Sequence, residues 1–360
     1  MSEPCRDLLR GGLAALALAA LLTLLPGAGG LRVASAGDPA RPGEGEAKGA
    51  RRADAGADAR FAKFVGPSDC GECHENEWKA LRLSAHHRSW LELHRRPEAK
   101  RIVLALDGPR RIDKREDCAS CHYTRKRVEQ EAKLVAGVSC ESCHGAGKDW
   151  LNLHWEGEGE ALEKNLAASA EKGMVRPQQL IDMVRRCLDC HVVGGDKLVG
   201  VAGHKTGADF DMVSWLQGEV RHNFLRSESY EVNRPTAPAR LRRYQVAGAI
   251  LQLRARLAAF SRLEDRKGPA AKALGRDVLA SYRSIKAMRG RLPALGRVQE
   301  LLSDLKLAEA GRADFQEVLV GLDRLAERLA GADSEVDLSP IQPLLPEDRR
   351  GSPRSFPSGG

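Results

Sequence analysis

Gly137-Val-Ser-Cys140-Glu-Ser-Cys143-His144-Gly-Ala-Gly147 is the stretch from which the rest of the chain can be read. Its core is two cysteines two residues apart, with histidine directly after the second. The same arrangement recurs at Cys70-Gly-Glu-Cys73-His74, Cys118-Ala-Ser-Cys121-His122 and Cys187-Leu-Asp-Cys190-His191. This C-x-x-C-H spacing is the signature of c-type haem attachment. The two thiols add across the two vinyl groups of one porphyrin. The next residue then lies beneath the macrocycle, where its imidazole can bind iron as the proximal ligand. Structural zinc sites and redox dithiols also use C-x-x-C pairs, but neither requires the histidine. Disulfides, which an oxidising compartment permits, leave the four histidines unexplained as well. The expectation is four covalent haem c groups, with His74, His122, His144 and His191 as proximal ligands.

Around these motifs the 360-residue chain divides by composition. The first 36 residues read as an export signal. Arg6 and Arg10 precede the apolar run Gly11 to Leu25, and Ala34-Ser35-Ala36 supplies a cleavage site. A run of this length is short for a membrane span, so the mature chain is expected in the periplasm with no transmembrane segment. Cys5 lies upstream of the run and is discarded with it. Residues 37–60 read as a flexible linker. Phe61 to about Tyr230 contains the other eight cysteines, all ten histidines and all five tryptophans, and is expected to be the haem domain.

After Pro235 the composition turns to Leu, Ala, Arg and Glu with helical periodicity. Leu274, Val278, Tyr282 and Ile285 form one stripe, and Phe315, Val318, Leu322, Leu325 and Leu329 another. Breaks at Gly268-Pro269, Gly290 to Pro293 and Gly311 divide residues 236–332 into about four helices, expected as an antiparallel bundle. Residues 333–360, rich in Pro, Ser and Gly, are expected to be disordered. The fold class that follows is mainly α, with short helices and loops wrapped around four haems and a C-terminal helical bundle behind them. Only 4% of residues are aromatic, which suits a domain whose interior is porphyrin. Without haem, residues 61–230 are expected not to fold.

The formal net charge is +8, of which the signal segment carries +1, leaving +7 on the mature chain. Eight haem propionates would offset it, so the basic side chains read as propionate partners rather than as a nucleic-acid surface. The sequence holds neither a nucleic-acid motif nor a nucleophilic triad, P-loop, paired carboxylates or G-x-G-x-x-G fingerprint, and no catalytic residue is assigned.

The second face of each iron decides between carrier and catalyst. The histidines left over are His86, His87, His94, His154, His204 and His222. Met174, Met183 and Met212 sit at amphipathic helical positions and read as core. Six spare histidines for four irons favour bis-imidazole ligation.

Several stretches together resemble the tetrahaem cytochrome c-554 family. They are Trp78 to Trp90 with Ser84-Ala85-His86 inside, Gly137 to Gly147 continuing to His154, Arg186 to His191, and Phe210-Asp-Met-Val leading to His222. The resemblance covers about half the chain and implies electron transfer. By position it implies His86, His154 and His222 as distal ligands, with His87 the rival of His86 because adjacent helical residues point about 100° apart. His94 reads as a surface histidine. The resemblance also implies a five-coordinate haem at the second motif, linked to nitric oxide reduction. His204, in Val201-Ala-Gly-His204-Lys-Thr-Gly, departs from that pattern and is the candidate to close the second haem. The leading expectation is a periplasmic electron carrier between redox proteins. The alternatives are a reductase of a small nitrogen species at an open second haem, and a module in which the haems report redox state to the C-terminal helices. Those helices are expected either to cap the haem domain or to serve in docking or dimerisation.

Overall fold

The four cysteine motifs each begin or end on a short helix, and the architecture follows from how those helices are tied. A computed structural model describes residues 62–129, 131–224 and 233–351. The expected export signal, the linker and the last nine residues of the tail lie outside the described residues, as do Phe61 and Tyr230. The mainly helical expectation holds.

The first motif spans α1 (Pro67–Gly71) and the start of α2 (Glu75–Arg82). Ser84 then caps α3 (Ala85–Glu92), its hydroxyl accepting from the His87 amide, which sets the direction in which His86 leaves the backbone. Pro97 opens α4 (Pro97–Leu104), where its missing N–H costs nothing. The second motif lies on α5 (Glu116–His122), with Glu116 and Asp117 in its first turn. The buried Arg115 guanidinium forks onto Asp117 at 3.0 and 2.7 Å and also donates to the Asp107 carbonyl.

Extended backbone at Tyr123 ends α5 and begins a hairpin not expected from the sequence, β1 (Thr124–Val128) against β2 (Glu131–Ala136). Gly137 leaves the hairpin pressed against α3. A Cβ there would lie 2.5 Å from the His86 and His87 carbonyl oxygens, so only glycine passes. The next amide, Val138, donates to the His86 carbonyl at 3.0 Å. The third motif then forms α6 (Cys140–His144), and α7 (Gly159–Glu171) and α8 (Leu180–His191) follow, the last carrying the fourth motif at its C-terminus. A loop with one wide π turn (Asp196–Val201) leads to α9 (Met212–Gln217).

The remaining helices are α10 (Pro238–Ser261), α11 (Pro269–Arg289), α12 (Gly296–Leu302) and α13 (Arg312–Ala330). Gly268-Pro269, the Gly290–Pro293 turn and Gly311 separate them. α10 is central, packing on α8, α11 and α13. Phe315, Val318, Leu322, Leu325 and Leu329 are all buried on α13, as the 3.6-residue period requires.

One apolar core joins these helices to α8. Leu180, Ile181, Val184 and Leu188 belong to the same cluster as Ile250, Leu257, Leu274 and Leu322. The packing is therefore continuous across Pro235. Asp323 on α13 reinforces it, receiving Arg185 of α8 at 3.3 Å and Arg254 of α10 at 3.1 Å. Residues 333–351 are a correction to the expectation of a disordered tail. Leu338 and Ile341 are buried in the same core. The Arg243 guanidinium holds the carbonyls of Gly331 and Ser334 at 2.8 Å. Two apolar anchors and one forked arginine outweigh what Pro and Ser imply by composition. Further on, the Arg350 backbone donates to Ser214 and accepts from Glu219. Among the described residues no helix is long and apolar enough to cross a membrane.

Candidate haem-ligand centre

Each C-x-x-C-H motif winds into helix, which places its two sulfurs and its imidazole on one side. Opposite each of the four motif imidazoles stands a second histidine from elsewhere in the chain. His74 faces His154 with ring centroids 6.1 Å apart, and His122 faces His204 at 6.2 Å. His144 faces His222 at 6.3 Å and His191 faces His86 at 5.9 Å. Two imidazoles bound to opposite faces of one metal through bonds of about 2 Å have ring centroids about 6 Å apart. The rings are thus too far apart to stack tightly and spaced as a shared metal requires.

Hydrogen bonds turn several of these rings. Nδ1 of His144 lies 2.9 Å from the Val175 carbonyl, and Nδ1 of His154 is 2.6 Å from that of Leu151. His204 and His222 have their Nδ1 atoms 2.7 Å from the carbonyls of Lys205 and Val220. A carbonyl only accepts, so each of these Nδ1 atoms is the protonated donor. Nε2 is left with a lone pair for metal, the usual role of such a backbone partner. Burial holds three of the motif imidazoles, His122, His144 and His191, neutral as well. The pKa values of His122 and His191 fall to about 4, first through burial and then through the neighbouring imidazoles. His144 is lowered for the same reasons. A metal needs this neutral form.

The sulfurs are equally suited to a state without charge. Burial pushes the Cys118 thiol up to about 12 and the Cys143 thiol up to about 11, and raises Cys187 further. Cys70, Cys118, Cys140, Cys143 and Cys187 form no disulfide. Cys70 and Cys140, from the first and third motifs, are hydrogen-bonded to each other, and burial together with Cys140 holds Cys70 protonated. Neutral sulfur beside an imidazole, as at Cys118, Cys143 and Cys187, fits thioether attachment of a porphyrin.

The loop that carries His204 is fitted to α8 at one point. Gly207 adopts φ +85°, and a Cβ on it would lie 1.9 Å from the His191 carbonyl oxygen. Val193 donates to the Thr206 carbonyl beside it at 3.0 Å. The buried Arg256 of α10 reaches the same loop, donating to the Ala208 carbonyl at 3.2 Å. A cavity of about 460 Å³ opens there, lined by His191, His204, Phe210 and Trp215. Phe210 lies flat on His191, with centroids 4.2 Å apart.

The two other spare histidines face no second imidazole. His87 meets Trp78 edge-on at 5.2 Å, while its neighbour His86 faces His191. His94 is exposed in the turn Leu93–Arg95. Sequence reading missed Glu141, between the third-motif cysteines. It is buried, and its carboxylate accepts from the amides of Val65, Gly66 and Gly147 at 2.7–2.9 Å. It thereby joins the segment before the first motif to the loop after the third. Its chemistry is set by three-dimensional contacts with no local sequence signal, and the same holds for Gly207 and Arg256.

Paired imidazoles beside C-x-x-C sulfurs are the donor set that c-type haem requires. Residues 69–145 match the sequence profile described as Cytochrome c554 and c-prime. Over 146 residues the chain is 29% identical to Cytochrome c-554 of Nitrosomonas europaea, covering 37% of this chain and 60% of that protein. The match thus spans less than two thirds of the relative's length. No solved structure matches. Residues 69–145 are thus similar to the cytochrome c-554 family, a family of c-type cytochromes.

Proposed function

We propose that the chain is a tetrahaem c-type cytochrome that passes electrons between redox partner proteins in the periplasm. The observation that carries this reading is the set of four imidazole pairs, each with one member from a C-x-x-C-H motif. Each imidazole pair would hold one haem iron, and an iron held by two imidazoles would supply electron exchange rather than a substrate site.

The chain's own residues supply orientation and order. Nδ1 donation to backbone carbonyls fixes His144, His154, His204 and His222 for ligation. The Cys70–Cys140 contact brings the first and third attachment points together. The third-motif helix α6 packs on α8, which carries the fourth motif, and this joins third to fourth. His86, which faces His191, lies on α3, and the Ser89 hydroxyl of that helix donates to the His122 carbonyl at 2.6 Å, which joins fourth to second. The order first, third, fourth, second follows. The facing of His122 by His204 favours the carrier over a nitrogen-species reductase, since that reaction needs an open iron.

The C-terminal helices are read as a cap, because α8 buries its apolar face in their core. Removing residues 236–360 is expected to abolish incorporation at the fourth motif. A stable deletion protein with all four haems would move those helices to a docking role.

The principal test is a pyridine haemochrome count with EPR of the oxidised protein. Four haems per chain, all low-spin, are expected. Replacing His204 by Ala is expected to turn one haem equivalent high-spin. A high-spin axial signal at one haem in the unaltered protein would overturn the closure of the second haem and restore the reductase reading. The mature mass is expected to correspond to a chain beginning after Ala36.

A further inference from the structure

A second cavity, of about 680 Å³, lies apart from the imidazole pairs and is not used by the electron-transfer reading. None of the motif cysteines, motif histidines or facing histidines lines it. Its walls come from α3 and the following turn, from α4, from residues 110–113, and from Tyr123 and Leu134. Arg101 leaves a different side of α4, reaching the Ala202 carbonyl near His204 at 3.0 Å. The cavity and the His204 loop therefore occupy separate sides of that helix.

The lining has three parts. The floor is apolar and aromatic: Val103, Ile112 and Tyr123 are buried, with Trp90 and Leu134 packed against them. The mouth carries Leu91 and Leu104, two large apolar side chains more than half exposed. Around it stand Arg95, Lys100, Arg110 and Arg111 against a single carboxylate, Asp113, which Arg111 engages at 3.0 and 2.8 Å. Its volume is in the range of small-molecule sites.

The deciding observation is Tyr123. It is 4% exposed, and its hydroxyl is buried with no hydrogen-bond partner. Leaving such a group unpaired is costly, and buried tyrosine hydroxyls ordinarily find an acceptor. We propose that this cavity binds a planar aromatic anion, with an oxygen acceptor for the Tyr123 hydroxyl at its inner end and an acidic group among Arg95, Lys100 and Arg110 at the mouth. Trp90 and Tyr123 supply aromatic surface for the ring system. The basic rim selects negative charge, and the exposed Leu91 and Leu104 cover the apolar edge left at the opening.

The test uses the oxidised holoprotein and two probes in equilibrium dialysis: anthraquinone-2-sulfonate, which has carbonyl acceptors, and anthracene-2-sulfonate, which lacks them. One saturable site is expected for the first, with weaker binding of the second. Tyr123→Phe is expected to weaken the quinone about tenfold, the scale of one buried hydrogen bond, and to leave the anthracene probe unchanged. Lys100→Glu, a change at the rim, is expected to weaken both probes. Unaltered visible spectra and haem counts show that the variants keep their fold, so this outcome is read independently of the electron-transfer reading. Absence of saturable binding below about 1 mM overturns the site. Equal loss of both probes in Tyr123→Phe overturns the role given to its hydroxyl.

Discussion

The two halves of this chain are built on different interiors. Every one of the largest fully buried side chains, from Ile250 to Ile341, belongs to the C-terminal helices and the segment that follows them. Among the described residues before α8 the clustered core is six residues, Ala99, Val103, Ile112, Cys118, Ala119 and Tyr123, two of them alanine. A region of that size with so little apolar packing cannot offset the conformational entropy of ordering its backbone. What it does have is one imidazole pair of its own, His74 with His154, and three more histidines, His86, His122 and His144, each about 6 Å from an imidazole on α8 or in the residues that follow it. Apolar side chains fill one interior, and in the other the imidazole pairs stand where such a core would be.

The largest effect expected from this contrast is the behaviour of the chain without haem. Made in a host that lacks cytochrome maturation, residues 62–175 are expected to exchange their amide hydrogens as an unfolded chain does. α10, α11 and α13 are expected to retain strong protection in the same molecule. Protection of α1 through α7 equal to that of α10 would erase the distinction between the two interiors.

How much of this could be read beforehand also differs between the halves. The C-terminal helices were legible because helix period and breaker residues are local: Phe315 to Leu329 bury the positions that three- and four-residue spacing picks out. The four C-x-x-C-H motifs were visible as motifs because their spacing is contiguous in the sequence. The pairing of distal to motif histidines was not. His86 and His191 are brought together by Gly137 against α3 and by the chain's return through α8, contacts that no window of sequence contains. The hairpin Thr124–Ala136 was missed because its strands are short and heavily charged. The segment 333–351 was misjudged because composition hides two well-placed anchors, Leu338 and Ile341.

The contrast is sharpened by a cavity-forming change in the conventional core. Leu322 is fully buried on α13. Leu322→Ala is expected to cost about 2–5 kcal/mol. Thermal unfolding followed by far-ultraviolet circular dichroism should show the loss with haem content unchanged. A loss of haem from the first three motifs in this variant would show that the two interiors are coupled more tightly than their packing suggests.

In the other half the equivalent weak point is polar. Glu141→Ala leaves the amides of Val65, Gly66 and Gly147 without their carboxylate. A stability loss of about 1–3 kcal/mol is expected, the scale of uncompensated buried donors. Glu141→Gln keeps one accepting oxygen and should recover part of it. Both are read by denaturant unfolding of the holoprotein monitored at the haem absorption. If alanine is as stable as the parent, the link between the first and third motifs is made elsewhere.

The smallest effects are expected where the halves do not differ. Arg96 meets Glu92 at 3.1 Å in the motif region, and Arg297 meets Glu300 at 2.7 Å in the C-terminal helices, both pairs well exposed. Water screens each pair and ordering two long side chains offsets the attraction, so Glu92→Gln and Glu300→Gln should each change stability by less than about 0.5 kcal/mol. Double-mutant cycles in the holoprotein check this. A coupling well above that in the motif region alone would mean its surface charges carry load that the sparse apolar packing does not, which would place part of the missing interior on the outside of the molecule.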